Sequence, residues 1–217
     1  MANILAIDTS TDTCSVSLGK DDEVFNFHES LPKQHTEKLL GIINTLMLES
    51  KLDYEELHAV AIGIGPGSYT GIRLSCAVAQ GIAFSQDLKA ITLSSLELLS
   101  MEAYLKTSAR SIVAISEANV GNVYIAETTF RDGEMDSRFR FIPWHSLELS
   151  QFSKECIFIG DGCSLFSGIV NQLPNSSPRA SHLLDIAQKR LSNGNTIKPE
   201  EILPIYLNDE NSWKKVK

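Results

Sequence analysis

From Asn3 to Leu93 short apolar runs alternate with longer segments whose apolar residues recur at helical spacing, and Gly, Asp or Ser stands at most of the changes. Ile4-Leu5-Ala6-Ile7 opens a strand predicted over about 3–8, and further strands follow over about 14–19 and 23–28. Leu39, Leu40, Ile42, Ile43, Leu46 and Met47 then recur at steps of three and four, which predicts a helix over about 36–50. A strand over 58–64, a helix over 71–85, a short strand over 89–92 and a helix opening at Ser94 complete the first half. Ser94 with Glu97 has the spacing of a capping box, in which two side chains satisfy backbone N–H groups at the helix start.

The second half repeats this order. Ser111–Ile115, Val123–Thr129, Arg138–Ile142 and Glu155–Ile159 predict strands, while Cys163–Gln172 and Ser181–Leu191 predict helices. Ile4 to Thr11, turning into Val16-Ser17-Leu18, corresponds to Ile112 to Asn119, turning into Val123-Tyr124-Ile125. Val60 to Ser68 and Ile157 to Ser164 are each a buried strand, a glycine turn and the start of a helix. Two copies of strand-strand-strand-helix-strand-helix resemble the superfamily of actin, hexokinase and the Hsp70 ATPase region (ASKHA). The fold expected is therefore α/β, a duplicated βββαβα unit with similar subdomains over 1–103 and 104–217. The alternative is an ordinary α/β protein in which such strings recur by chance. Pro143, Pro174 and Pro178 punctuate loops rather than a linker, so the halves are expected to adjoin near residue 103.

Composition narrows the function. The chain has 217 residues, 43% of them hydrophobic, enough for a substantial core. Its net charge of -8 repels polyphosphate backbones, so it is not expected to hold nucleic acid alone. The exception, Lys214, Lys215 and Lys217 beside Trp213, reads as a solvated tail that could touch RNA. Met1-Ala2-Asn3 runs into the first strand without a signal core, and no apolar run reaches membrane-spanning length, so a cytoplasmic location is expected. Cys14, Cys76, Cys156 and Cys163 have no paired metal or disulfide spacing and read as reduced, buried residues.

Two stretches are placed where chemistry occurs. Asp8-Thr9-Ser10-Thr11 ends a hydrophobic strand, where hydroxyls and N–H groups could surround a phosphate or Asp8 could hold a metal; the competing reading is a self-bonded turn. Gly65-Pro66-Gly67-Ser68-Tyr69-Thr70-Gly71-Ile72-Arg73 leads into a helix that Thr70 can cap, and glycines before a helix N-terminus favour anions. It is not a Walker A loop, because Arg73 stands where Gly-Lys-Ser/Thr is needed. The helix after it carries two stripes of small residues, Ser75, Ala79, Ala83 and Ala77, Gly81, Ser85, which allow close helix approach. His35 is a lone histidine without a second ligand at metal spacing.

Ile7-Asp8-Thr9-Ser10-Thr11, Gln34-His35-Thr36, the Gly65–Arg73 block, Ala79-Gln80-Gly81-Ile82-Ala83-Phe84, Pro204-Ile205-Tyr206-Leu207 and Trp213-Lys214 together resemble the bacterial TsaB family, once called YeaZ. The resemblance implies a role in forming N6-threonylcarbamoyladenosine at position 37 of tRNAs that read codons starting with A. It implies a heterodimer with TsaD, which transfers the threonylcarbamoyl group from its adenylate, completion of the complex by the ATPase TsaE, and contact with tRNA only through the complex. TsaB is there a non-catalytic scaffold, without catalytic residue, metal or cofactor of its own, and the resemblance allows a homodimer when it is alone. Catalytic relatives carry His-x-x-x-His where this chain has Ile91 to Leu99 without histidine. They also use glycine-paired loops where it has Glu117-Ala118-Asn119 and Gly160-Asp161-Gly162, and the family's usual Asp-Ala-Arg is absent at the first of these. Asp8, Thr9, Ser10, Thr11, Gly65 and Gly67 thus read as a vestigial phosphate loop, and Leu39, Ile43, Met47, Leu74, Val78 and Ile82 as the partner interface. The alternatives are an ATPase or phosphotransferase with Asp8 on Mg2+ and the loops at Gly65 and Gly160 on phosphates, and a metallopeptidase, against which the missing ligand set argues.

Overall fold

The computed structural model describes residues 2–118, 121–173 and 175–205. The first sheet is built from β1 (Ile4–Asp8), β2 (Thr13–Lys20), β3 (Glu23–Ser30), β4 (Ala59–Gly63) and β5 (Lys89–Leu93), with helices α1 (His35–Ser50) and α2 (Tyr69–Ser85) between its strands. Helix α3 (Ser95–Thr107) follows. The second sheet holds β6 (Ser111–Glu117), β7 (Asn122–Arg131), β8 (Glu134–Pro143), β9 (Ile157–Ile159) and β10 (Gln172–Leu173), and helix α4 (Ala180–Ser192) comes last.

The two sheets have the same plan. One runs β3-β2-β1-β4-β5 and the other β8-β7-β6-β9-β10. In each, the first strand pairs antiparallel with the second and parallel with the fourth. This is the duplicated actin-like arrangement that the sequence predicts. The copies differ in their helices: where α1 joins β3 to β4, only the short 3-10 turns Trp144–Ser146 and Leu149–Gln151 join β8 to β9. The helix expected over Cys163–Gln172 is also replaced, by a 3-10 helix over Asp161–Leu165 and then β10. Gly168 at φ 117° and the β-branched pair Ile169-Val170 account for the break.

Contacts divide the chain into two compact units, but not at residue 103. The first runs to Leu98 and regains Pro178–Pro204, and the second takes over at Leu99, inside α3. The reason is α4, which packs on β1, β2, β4 and β5 of the first sheet instead of on its own. Strand alternation shows how both faces of that sheet are covered. Leu5, Ile7, Val16, Leu18, Val60 and Ile62 join residues of α1 and α2 in one buried cluster. On the opposite parity Ser15 accepts a hydrogen bond at 2.9 Å from the N–H of Ala180, the first residue of α4. Ala6, Ser15, Ser17, Ala59 and Ala61 leave that face shallow enough for a helix to lie close. Every residue of β1 and β4 is buried as a result, which explains their unbroken apolar sequence.

Candidate functional site

Asp8 lies at the end of β1, fully buried with Thr9, and Ser10 is 1% exposed. Its Oδ1 accepts from Ser10 N–H at 3.0 Å and Ser10 Oγ–H at 2.7 Å, and its Oδ2 accepts from Ser95 Oγ–H at 2.9 Å. The glycine-rich loop closes over this turn. Ser68 N–H donates to the Ser10 carbonyl at 2.6 Å, and Thr9 Oγ–H donates to the Gly71 carbonyl at 2.7 Å. Ser95 binds Gly65 twice, accepting its N–H at 3.2 Å and giving its own N–H to the Gly65 carbonyl at 2.8 Å. Thr11 stands outside the lock, its Oγ accepting the Thr13 N–H at 3.1 Å.

The glycines here are spacers. A Cβ at Gly67 would come within 2.2 Å of the Ser10 carbonyl oxygen, one at Gly71 within 2.0 Å of the Thr9 carbonyl oxygen, and one at Gly63 within 1.8 Å of Asp8 Oδ2. Gly65, at φ 93° before the cis Gly65–Pro66 peptide, also has a conformation that suits glycine. The helix is capped by Ser68, whose Oγ accepts from Gly71 N–H at 3.3 Å, rather than by Thr70, and it starts two residues earlier than expected. The N–H groups of Ser10 and Ser68 and the hydroxyls of Thr9, Ser10 and Ser95 are thus spent on backbone and carboxylate oxygens within the same unit.

The second unit repeats the construction. A Cβ at Gly160 would meet the Ile115 carbonyl oxygen at 2.1 Å, and Asp161 Oδ1 accepts from Glu117 N–H at 3.2 Å and Gly162 N–H at 2.9 Å. Asn119, where the family's Arg is missing, lies outside the described residues, as do Tyr206, Leu207, Trp213 and the terminal lysines.

Burial raises the Asp8 pKa from the ordinary carboxylate value; the bonds from Ser10 and Ser95 and the proximity of His35 pull it down by less. A folded-state pKa above the unfolded one gives stability that is fully present below the unfolded pKa and lost as pH rises through the folded value. Asp8→Asn keeps the Oδ1 acceptor and removes the titration. The variant should therefore gain thermal stability relative to the wild type as pH is raised from 4 towards 8, and a difference that is flat or opposite in sign would refute the burial argument.

Ser95 was not legible as a site residue, because the capping signal points to its neighbour. Ser94 does form the box, its N–H bonded to Glu97 Oε2 at 3.0 Å, and this leaves Ser95 at the first helical position to face Asp8. His35 is buried at the start of α1, and its Nε2 has no hydrogen-bond partner. Among the described residues no group of three or more His, Cys, Asp or Glu could hold a metal ion, and no helix is long and apolar enough to cross a membrane.

The six residues expected at a partner interface separate. Leu39 and Ile43 are 0% exposed and Met47 4%, so these three belong to the core and not to a surface. Their turn of α1 faces β2, and the apolar residues of α1 left to solvent are Leu40 and Leu48. Leu74, Val78 and Ile82 of α2 are only partly buried against the core. The two small-residue stripes of α2 separate likewise: Ser75, Ala79 and Ala83 are buried, whereas Ala77, Gly81 and Ser85 are exposed.

Residues 29–138 match the model of the family described as TsaD, tRNA N6-adenosine threonylcarbamoyltransferase. The tRNA threonylcarbamoyladenosine biosynthesis protein TsaB of Haemophilus influenzae is 31% identical over 228 aligned residues, covering 98% of this chain and 96% of that protein. TsaB of Escherichia coli is 31% identical, covering 98% and 97%. A crystal structure from Pseudomonas aeruginosa, described as an uncharacterized protein with similarity to peptidase YEAZ, superposes with a TM-score of 0.89 at 28% identity, over 96% of this chain and 100% of that one.

Proposed function

The chain belongs to the TsaB family, inside the wider sequence family that bears the TsaD description, and from that membership we propose that it serves N6-threonylcarbamoyladenosine formation as the partner subunit of TsaD. The observation that carries the partner role is the lock on the Asp8 turn. A phosphate or Mg2+ there would have to displace the Ser10, Ser68, Gly71 and Ser95 contacts, each made inside the same unit. On this reading Asp8, Thr9, Ser10, Thr11, Gly65 and Gly67 are a phosphate loop converted to a structural joint. TsaD performs the transfer, TsaE completes the complex, and the net charge of -8 leaves tRNA to be held through the partners.

The face offered to TsaD is the outer side of α2. Leu74, Val78 and Ile82 give it apolar area, and exposed Ala77 and Gly81 let another helix come close. The match of residues 29–138, which include α1 and α2, to a TsaD-described family supports a pseudo-symmetric pairing through corresponding helices. Without TsaD, the same face pairs two copies of the chain.

Transfer of labelled threonylcarbamoyl from its adenylate to unmodified tRNA tests the division of labour. This chain alone should give no transfer and should raise that of TsaD; transfer by the chain alone at the rate of the pair would overturn the reading. Val78→Glu places a carboxylate on the α2 face at a partly exposed position beside the core. It should fold as judged by circular dichroism, lose TsaD on co-purification, and lower tRNA modification by about tenfold or more. Undiminished co-purification of a folded Val78→Glu chain would move the interface elsewhere.

A further inference from the structure

A groove with a cavity volume of about 580 Å³ runs along the other flank of α1, against edge strand β3. Its floor is apolar, made by Phe27, Leu31, Ile42 and Leu46. Its rim is acidic, with Glu29 from β3 and Glu37 and Glu49 from α1 against the single cation Lys38. These four rim residues are exposed, and among the described residues none of the three carboxylates makes an ion pair. Gly41 opens the wall, for a Cβ there would meet nothing within 4 Å. Among the described residues β3 pairs with β2 alone, so the backbone groups of its outer edge have no strand partner there.

We propose that this groove docks an extended segment of a protein partner that carries aliphatic residues and Lys or Arg on one face, at every second position, added as a further strand on β3. A shared face is what the geometry asks for, since Phe27 and Glu29 have the same parity in β3 and α1 supplies the rest of the floor and rim. A strand presents every second side chain to the same side, so aliphatic residues on the face turned towards α1 enter between Phe27 and Ile42. Cations at the next positions of that same face reach Glu29, Glu37 and Glu49, and the unbalanced acidic rim selects against acidic segments. This goes beyond pairing through α2, none of whose residues lines the groove.

The probe is a fluorescein-labelled eight-residue peptide, Val-Thr-Lys-Thr-Val-Thr-Lys-Thr, whose Val and Lys share one face of a strand, titrated with the isolated full chain and read by anisotropy. Binding should appear, weaken as salt is raised, and fall about tenfold or more for a peptide with Glu in place of Lys and for one with a central Pro, which cannot donate to the ladder. Gly41→Trp fills the groove from a position with open space and should lower affinity to the same extent with unaltered thermal unfolding. The double variant Glu37→Gln, Glu49→Gln should weaken the Lys peptide and not the Glu one. Equal binding of Lys and Glu peptides, or full binding by Gly41→Trp, would overturn the proposal. So would concentration-dependent self-association that Gly41→Trp abolishes, which would assign the groove to a second copy of the chain. Because TsaD is absent from the titration, its outcome is separate from that of the α2 pairing.

Discussion

Ile43→Glu is expected to yield no folded monomer. The side chain is 0% exposed, within a cluster that also holds Leu39, Leu46 and Met47 of α1 and Leu5, Val16 and Val60 of the sheet. An unpaired carboxylate there costs several kcal/mol, and the lost isoleucine packing adds about 2–5 kcal/mol. Domains are stable by only about 5–15 kcal/mol, so the sum removes most or all of it. Recovery in the insoluble fraction, or a circular dichroism spectrum without a cooperative melt, is the expected result. The contrast with Val78→Glu makes the pair informative, since one substitution removes the fold and the other only a contact. A cooperative transition for Ile43→Glu within about 1 kcal/mol of wild type would mean that α1 is packed with another face inward.

Gly67→Ala should destabilise without unfolding. The added Cβ would lie 2.2 Å from the Ser10 carbonyl oxygen, which is held at 2.6 Å by Ser68 N–H, so neither neighbour can move without breaking the lock. The φ of 153° adds strain for any residue with a side chain. A loss of about 2–4 kcal/mol follows, equivalent to a fall in Tm of roughly 5–15 °C for a chain of this length. Gly41→Ala in α1 is the internal control, because its Cβ would meet nothing within 4 Å and alanine is the better helix former. Equal Tm values for Gly67→Ala and wild type would show that the loop relaxes freely and that the turn is not locked.

The repeated order of elements was legible because both kinds of signal were present together. β1 and β4, covered on both faces, read as unbroken apolar runs, and the glycine turns after β4 and β9 stand in register with the polar turns after β1 and β6. Asp8 and Gly67 were legible as a pair of turns. That the two turns are bonded to each other was not, since nothing in local sequence reports a contact 60 residues long in the chain. The orientation of α1 was also hidden. Adjacent apolar pairs at Leu39-Leu40, Ile42-Ile43 and Leu46-Met47 let the periodicity fit more than one inward face, and only packing over β2 selects Leu39, Ile43, Leu46 and Met47. In α2 the two small-residue stripes were legible but not which of them faces inward; packing buries Ser75, Ala79 and Ala83 and leaves Ala77, Gly81 and Ser85 exposed. Over Cys163–Gln172 the apolar residues Leu165, Phe166, Ile169 and Val170 resemble a helical segment, but Gly168 and the β-branched pair that follows it interrupt one.

The placement of α4 sets a timetable for synthesis. Strands β1 to β5 leave the ribosome first, yet the helix that covers their shallow face is roughly a hundred residues behind, on the order of ten seconds at ordinary elongation rates. During that interval the small, apolar face around Ala6, Ala59 and Ala61 has no cover from its own chain. A nascent chain halted before residue 178 would present an incomplete first unit and is a natural client for a holding chaperone. The same gap makes the polypeptide divisible: a fragment ending at 177 and a separate peptide of residues 178–204 together hold every element of the first unit, so their association on mixing is the expected result.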